Sequence, residues 1–291
     1  MPTLSIPAPG KINLGLQVLG RRPDGYHEII TVLQALELAD SVHISDASQI
    51  EGEPSLPGLA RAQDLTFQAA ERLHARLRPN TGAYLRVEKH VPSGAGMGGG
   101  SSDAAATLLG LDAFWQTGAD GSLLAEIAQS LGADVPFFLR GGTMLATGRG
   151  DRLEPLAAPP RRWVLLVKPD AEIAAADAYA TLESTEWSDG ADTLALSGAI
   201  QRGELPGELL RNDLTSSAIR LVPEVGKILE RLTAAGATPA LLVGSGPTCG
   251  GLFGSKQDAS DSQAEFRAPN VWTALTRFRR KVRTQTNNGS R

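Results

Sequence analysis

The sequence predicts an α+β protein of two domains. Three observations carry that expectation. Apolar residues alternate along Ile12, Leu14, Leu16 and Val18, the period of a half-buried strand. A glycine-rich segment, Pro92-Ser93-Gly94-Ala95-Gly96-Met97-Gly98-Gly99-Gly100-Ser101-Ser102, leads from a strand-like stretch straight into a helix-like one. Ala157-Ala158-Pro159-Pro160 interrupts both helix and sheet and marks a linker. The expected domains are therefore 1–157 and 161–278, followed by a basic, polar and frayed tail at 279–291.

The elements follow in order. After the strand around 12–18, segments 26–38 and 41–45 read as further strands. Asp64 is placed to cap a helix with Leu65, Ala69, Leu73 and Leu77 on one face. Ala83, Leu85 and Val87 alternate as a strand that delivers the chain to the glycines. Helices are expected at 101–116 and 122–131, and a hairpin at 143–148 and 152–156 around Gly148-Arg149-Gly150. Beyond the linker, Trp163–Val167 reads as a buried strand, with helices near 174–183, 193–202 and 222–235. Ala240–Val243 and Gly250–Phe253 are strand-like across Gly244-Ser245-Gly246-Pro247. A helix near 256–267 and a strand at 271–278 close the chain.

Composition narrows the function. The 291 residues are 42% hydrophobic and 21% charged, as in an ordinary globular protein. A net charge of −4 gives no basic field for nucleic acid. Cys249 is the single cysteine, which excludes an internal disulfide or a cysteine zinc site and suits a reducing, cytoplasmic compartment. No apolar run is long enough for a membrane span. Leu4 and Ile6 already look like strand, which leaves no room for a leader peptide.

The glycine segment is the most informative. Glycines permit positive φ and let backbone N–H groups approach an anion. Ser101 or Ser102 is placed to cap the following helix, whose N-terminus attracts phosphate. Gly94 to Gly99 formally match a dinucleotide fingerprint, but no second strand ending in an acidic residue follows. The lysine of a Walker loop is missing after Gly100, and no His-Arg-Asp segment of a protein kinase is present.

Four separated blocks resemble the GHMP small-molecule kinases over nearly the whole chain. They are Pro9-Gly10-Lys11-Ile12-Asn13-Leu14 with Arg22-Pro23-Asp24-Gly25-Tyr26-His27; the glycine loop with Ser101-Ser102-Asp103; Gly132-Ala133-Asp134-Val135-Pro136-Phe137-Phe138; and Gly244-Ser245-Gly246-Pro247-Thr248. The resemblance implies a ribosomal-protein-like N-terminal domain and a ferredoxin-like C-terminal domain. It implies ATP on the glycine loop, Pro92 to Ser102, with Mg²⁺ bridging the β- and γ-phosphates. No carboxylate cage is visible, so no metal ligand is assigned.

Lys11 is then expected to meet a phosphate or substrate hydroxyl, against the plainer reading of a solvated lysine. Two readings stand for Asp134: an N-cap for the helix entering Pro136, or the base that accepts the hydroxyl proton. An ammonium nearby favours the ionised carboxylate such a base needs. An aromatic after Pro-Asp-Gly is either plain core filling or, as the family resemblance through Tyr26-His27 implies, part of a site for a cytidine diphosphate-linked methylerythritol on the non-mevalonate isoprenoid route. In that reading Tyr26 stacks on the cytosine and His27 reads its polar edge. Tyr179 is the match for a second stacking aromatic, or a plain core tyrosine. Asn13 either bonds the substrate or steadies a turn. The Gly244 loop either approaches the glycine loop or forms a structural turn. Asn212 is expected in helix-end packing, and His43, His74 and His90 on the surface. Other GHMP substrates, a turnover-free nucleotide sensor and an RNA-binding domain are the alternatives. Both Lys11 and Asp134 being present argues against the sensor, and the acidic charge against RNA.

Overall fold

The computed structural model describes residues 3–280. Two long antiparallel strands, β1 (Thr3–Arg21) and β2 (His27–Ser45), form a hairpin that carries much of the architecture. The expected break between 38 and 41 does not occur. Ala39 and Asp40 stay paired with Pro9 and Ala8, because the buried Asp40 carboxylate finds its partners from elsewhere in the chain.

The free edge of β2 is shared by two strands. Its first part pairs with β5 (Thr143–Gly148) and its last part with β4 (Ala83–Glu88), both antiparallel. A short β3 (Ile50–Gly52) runs parallel to β4, and β6 (Arg152–Pro155) closes the other side on β5. Between the two partners, Ala35 donates to the carbonyl of Gly142 and accepts from the backbone of Arg279. Arg279 is therefore part of the fold, not of a frayed tail. Residues 281–291 of that expected tail lie outside the described residues.

Helices α1 (Leu65–Leu77), α2 (Gly99–Trp115), α3 (Gly121–Leu131) and α4 (Val135–Arg140) cover this sheet. Asp64 caps α1 as expected, accepting from Thr66 N at 2.9 Å. The second sheet is antiparallel in the order β10 (Val271–Arg277), β7 (Trp163–Pro169), β9 (Cys249–Phe253), β8 (Ala240–Leu242). Around it lie α5 (Ala175–Thr181), α6 (Ala191–Gln201), α7 (Thr215–Leu221), α8 (Glu224–Ala234) and α9 (Lys256–Glu265). The sequence reading missed α7, a short helix whose N-cap makes no side-chain bond. Among the described residues no helix is long and apolar enough to cross a membrane.

The hairpin serves three apolar clusters. Ala8, Val42 and Ile44 pack with α1 and α2. Ile12, Leu14, Val32 and Leu36 pack with Val164, Leu166 and Leu252 of the second sheet. Leu16, Val18 and Ile29 join Leu165, Val167 and Phe253 on its other face.

Beneath the glycine segment lies a buried ionic cluster. Lys89 Nζ bonds to both Asp40 and Asp103, at 2.7 Å for the latter. Asp40 also accepts the backbone N–H groups of His90 and Val91. Burial pushes the Asp103 carboxyl up, Lys89 pulls it back, and Asp40 adds to the rise. The cluster clasps both ends of the glycine loop: the entry at 89–91 and the exit in the first turn of α2. Lys89→Met leaves two buried carboxylates unpaired. It should lower the unfolding free energy by about 3–5 kcal/mol, read from urea unfolding at neutral pH.

Candidate active site

A cleft of about 890 Å³ gathers most of the expected residues, with Lys11, Asn13, Tyr26, His27, Gly96, Gly98, Ser101, Asp134 and Tyr179 all on its walls. The first two come from the middle of β1. Residues two apart on a strand share a face. Lys11 and Asn13 therefore turn toward the cleft while Ile12 enters the core between the sheets. Irregularities in the β1–β2 pairing flank this stretch, between Pro9 and Lys11 and between Asn13 and Gly15.

Lys11 is only 6% exposed. Its Nζ donates to Asn13 Oδ1 at 2.7 Å. Asn13 in turn donates to Thr31 Oγ1 at 2.7 Å, and Thr31 donates to Gly15 O at 2.6 Å. Asn13 is thus the residue that orients the lysine. Burial lowers the pKa of Lys11, and the charge of Asp134 works against that lowering. Asp134 Oδ2 stands 4.0 Å from Lys11 Nζ, and its side chain is 37% exposed. Asp134 occupies the N-cap position of α4, but its side chain makes no capping bond. The carboxylate is left facing the cleft.

The glycine loop differs from the expected cap. Gly98, in the left-handed region at φ 70°, turns the chain into α2, and its carbonyl accepts from Ser102 N at 2.9 Å. No side chain caps the helix. The two serines sit inside its first turn, Ser101 on the cleft wall and Ser102 buried. The first N–H groups of such a helix have no intrahelical acceptor and attract an anion. Of the five glycines, only Gly94, Gly96 and Gly98 have positive φ; Gly99 and Gly100 are helical. A Cβ at Gly96 would lie 2.6 Å from Val243 O, and one at Gly244 would lie 2.3 Å from Gly96 O and 2.7 Å from Lys11 Nζ. The Gly244 loop therefore abuts the glycine loop main chain to main chain. Asn212 pins it, donating to Leu242 O at 3.1 Å and Gly244 O at 2.6 Å.

At the far end, Tyr26 leaves a tight turn in which Arg22 N donates to Tyr26 O and Tyr26 N donates to Asp24 Oδ1. Its side chain lies at the surface, 56% exposed. The His27 ring stacks on Tyr179, centroids 5.1 Å apart at 23°, with Trp187 edge-on at 6.4 Å. Burial, with Arg21 nearby, lowers the His27 pKa, so the ring is neutral at pH 7. Trp187, Arg21 and Arg149 also line the cleft and were missed in the sequence. The one signal for Trp187 was an indole in a polar stretch, Glu183-Ser184-Thr185-Glu186-Trp187. His43, His74 and His90 lie away from the cleft.

Comparison with known proteins bears on this geometry. The family profile described as GHMP kinases N terminal domain matches residues 64–142, and that described as GHMP kinases C terminal matches 195–271. The chain belongs to the GHMP kinase family. This GHMP kinase is 40% identical over 278 residues to the 4-diphosphocytidyl-2-C-methyl-D-erythritol kinase of Pelotomaculum thermopropionicum, covering 93% of this chain and 96% of that one. It is 41% identical over 258 residues to the protein of the same name from Geobacillus kaustophilus, with 86% and 88% covered. A crystal structure of 4-(cytidine 5'-diphospho)-2C-methyl-D-erythritol kinase superimposes with a TM-score of 0.82 at 33% identity, covering 94% of this chain and 99% of that one. Homoserine kinase from Cytophaga hutchinsonii shares the fold, with a TM-score of 0.75 at 16% identity and 97% and 96% covered.

The contact between the two loops separates the glycines by role. Gly96→Ala meets both a positive φ and a carbonyl, and should lower Tm by several degrees and raise the KM for ATP. Gly100→Ala, where the nearest atom to a Cβ is Leu65 Cδ1 at 3.9 Å, should leave Tm within about two degrees. Thermal melts and ATP titration of both variants check this.

Proposed function

We propose that this GHMP kinase transfers the γ-phosphoryl group of ATP to the 2-hydroxyl of 4-diphosphocytidyl-2-C-methyl-D-erythritol, in the non-mevalonate isoprenoid pathway. The observation that carries the reading is one cleft lined by the Lys11–Asp134 pair, the glycine loop and Tyr26 and His27, with Tyr179 stacked on His27 and within electrostatic reach of Asp134. A carboxylate and lysine suited to phosphoryl transfer share one cavity with the aromatic side chains of Tyr26, His27 and Tyr179, which supports a nucleotide-linked alcohol as substrate.

Phosphoryl transfer relies on positioned charge more than on covalent chemistry. In the proposed reaction the substrate hydroxyl sits beside Asp134, whose carboxylate takes the proton as the oxygen attacks Pγ. The Pγ–O bond to ADP breaks in line with that attack. Lys11, held by Asn13, faces the charge that spreads over the transferring group. The Pro92 to Ser102 loop cradles the triphosphate, with the backbone N–H groups of the first turn of α2 that lack an intrahelical acceptor, Gly99 to Ser101, as its donors.

Among the described residues no cluster of three His, Cys, Asp or Glu side chains would cage a metal. A Mg²⁺ ion would be held mainly by phosphate oxygens and water, with the cleft-lining Ser101 hydroxyl as the protein oxygen that would reach it. When bound, Mg²⁺ neutralises charge across the β- and γ-phosphates.

Asp134→Asn should lower kcat about 10²–10⁴-fold with an unchanged melting curve. Normal turnover in that variant removes Asp134 from the mechanism. Tyr26→Ala should raise the KM for the cytidyl substrate about 5–150-fold and leave that for ATP unchanged. Equal turnover of free methylerythritol would refute recognition of the base. Because the His27 pKa is lowered, the same KM should stay flat from pH 8 down to about 6.5, the ordinary histidine value.

A further inference from the structure

The Gly148-Arg149-Gly150 turn joins β5 to β6 and projects into the substrate end of the cleft. Arg149 there is fixed at both its ends. Its backbone N–H donates to Asp151 Oδ1 at 3.2 Å, and its guanidinium reaches Asp151 Oδ2 through Nε at 3.3 Å and Nη2 at 3.2 Å. Gly150 N closes the turn on Thr147 O at 3.1 Å. Gly148 and Gly150 both take the left-handed conformation that this tight geometry requires. The guanidinium carbon lies over the Tyr26 ring, 4.9 Å from its centroid. A planar cation on one face of an otherwise exposed ring occupies that face and limits the motion of the ring.

We infer that Arg149 is a positioning residue for substrate recognition: anchored by Asp151, it backs one face of Tyr26 and leaves the opposite face as the platform for the pyrimidine. Tyr26 sits on a surface turn and is 56% exposed, so this backing helps to order the ring before the base arrives. Binding to a preordered ring loses less conformational entropy than binding to a free one.

The inference rests on Tyr26 stacking with the base, and kinetics separate the two. Steady-state constants with 4-diphosphocytidyl-2-C-methyl-D-erythritol and ATP are measured for Arg149→Ala, Tyr26→Ala, the double variant and Asp151→Asn, each with a thermal melt. Arg149→Ala should raise the KM for the cytidyl substrate about 2–5-fold, with kcat and the KM for ATP unchanged. In the Tyr26→Ala background the same change should add nothing, because Arg149 acts through the ring. Asp151→Asn should shift KM in the same direction by less. An Arg149 effect that persists without Tyr26 would mean direct contact with the ligand and would overturn the inference. So would a lowered KM, which would make Arg149 a plug on the stacking face. An unchanged KM in Arg149→Ala together with a raised one in Tyr26→Ala sinks this inference alone. An unchanged KM in Tyr26→Ala sinks both.

Discussion

The ammonium of Lys11 sits almost out of water, and much of the molecule is what that placement requires. A buried charge is costly unless hydrogen-bonded and paired. Asn13 supplies the bond and Asp134 the opposite charge. Neither partner works without its own support. Asn13 is held by Thr31 across the hairpin, and Asp134 is presented by the turn that opens α4. The Gly244 loop comes so close to Nζ that no side chain fits there. A lysine whose burial favours the neutral form keeps its charge available only while these groups stay in place.

The supporting parts come from both sheets. β1 brings Lys11 and Asn13, α4 brings Asp134, and the second sheet contributes the loop between β8 and β9. Asp40, Lys89 and Asp103 act one layer further out. They fix where the glycine loop leaves β4 and enters α2, and so where its backbone donors point. Asp103 and Asp40 share one lysine, so the cluster holds more carboxylate than cation and ties the loop by attraction and geometry together.

How much of this was legible in the sequence depended on range. Local patterns carried well. Asp64 caps α1 where a polar residue precedes an apolar stripe, the alternation of Ala83, Leu85 and Val87 gives β4, and the apolar run Trp163–Val167 lies within β7. The motif blocks brought Lys11, Asp134 and the glycine loop to one cleft. Readings that needed distant partners fared worse. Asp40 reads as a strand breaker because Lys89 and the backbone of His90 and Val91, which satisfy it, are some fifty residues away. Arg279 reads as tail because its backbone partners, Ala35 and Gln34, lie at the other end of the chain. The serines looked like caps because a hydroxyl before an apolar helix usually is one; Gly98 takes that role through its main chain. Arg149 was legible only as a turn residue, since nothing local shows that it reaches Tyr26.

The β1–β2 hairpin has a consequence for how the protein holds together. Its residues fill cores on both sides of the linker, so the division visible in the chain is not a division in cohesion. A fragment starting after Pro160 would leave Val164, Leu166 and Leu252 without the Ile12, Leu14 and Val32 that cover them. The converse fragment would open the same seam from the other side. Neither half owns a complete interior, and unfolding is therefore a property of the whole chain, with Lys11 beside Ile12 on the strand that joins the halves.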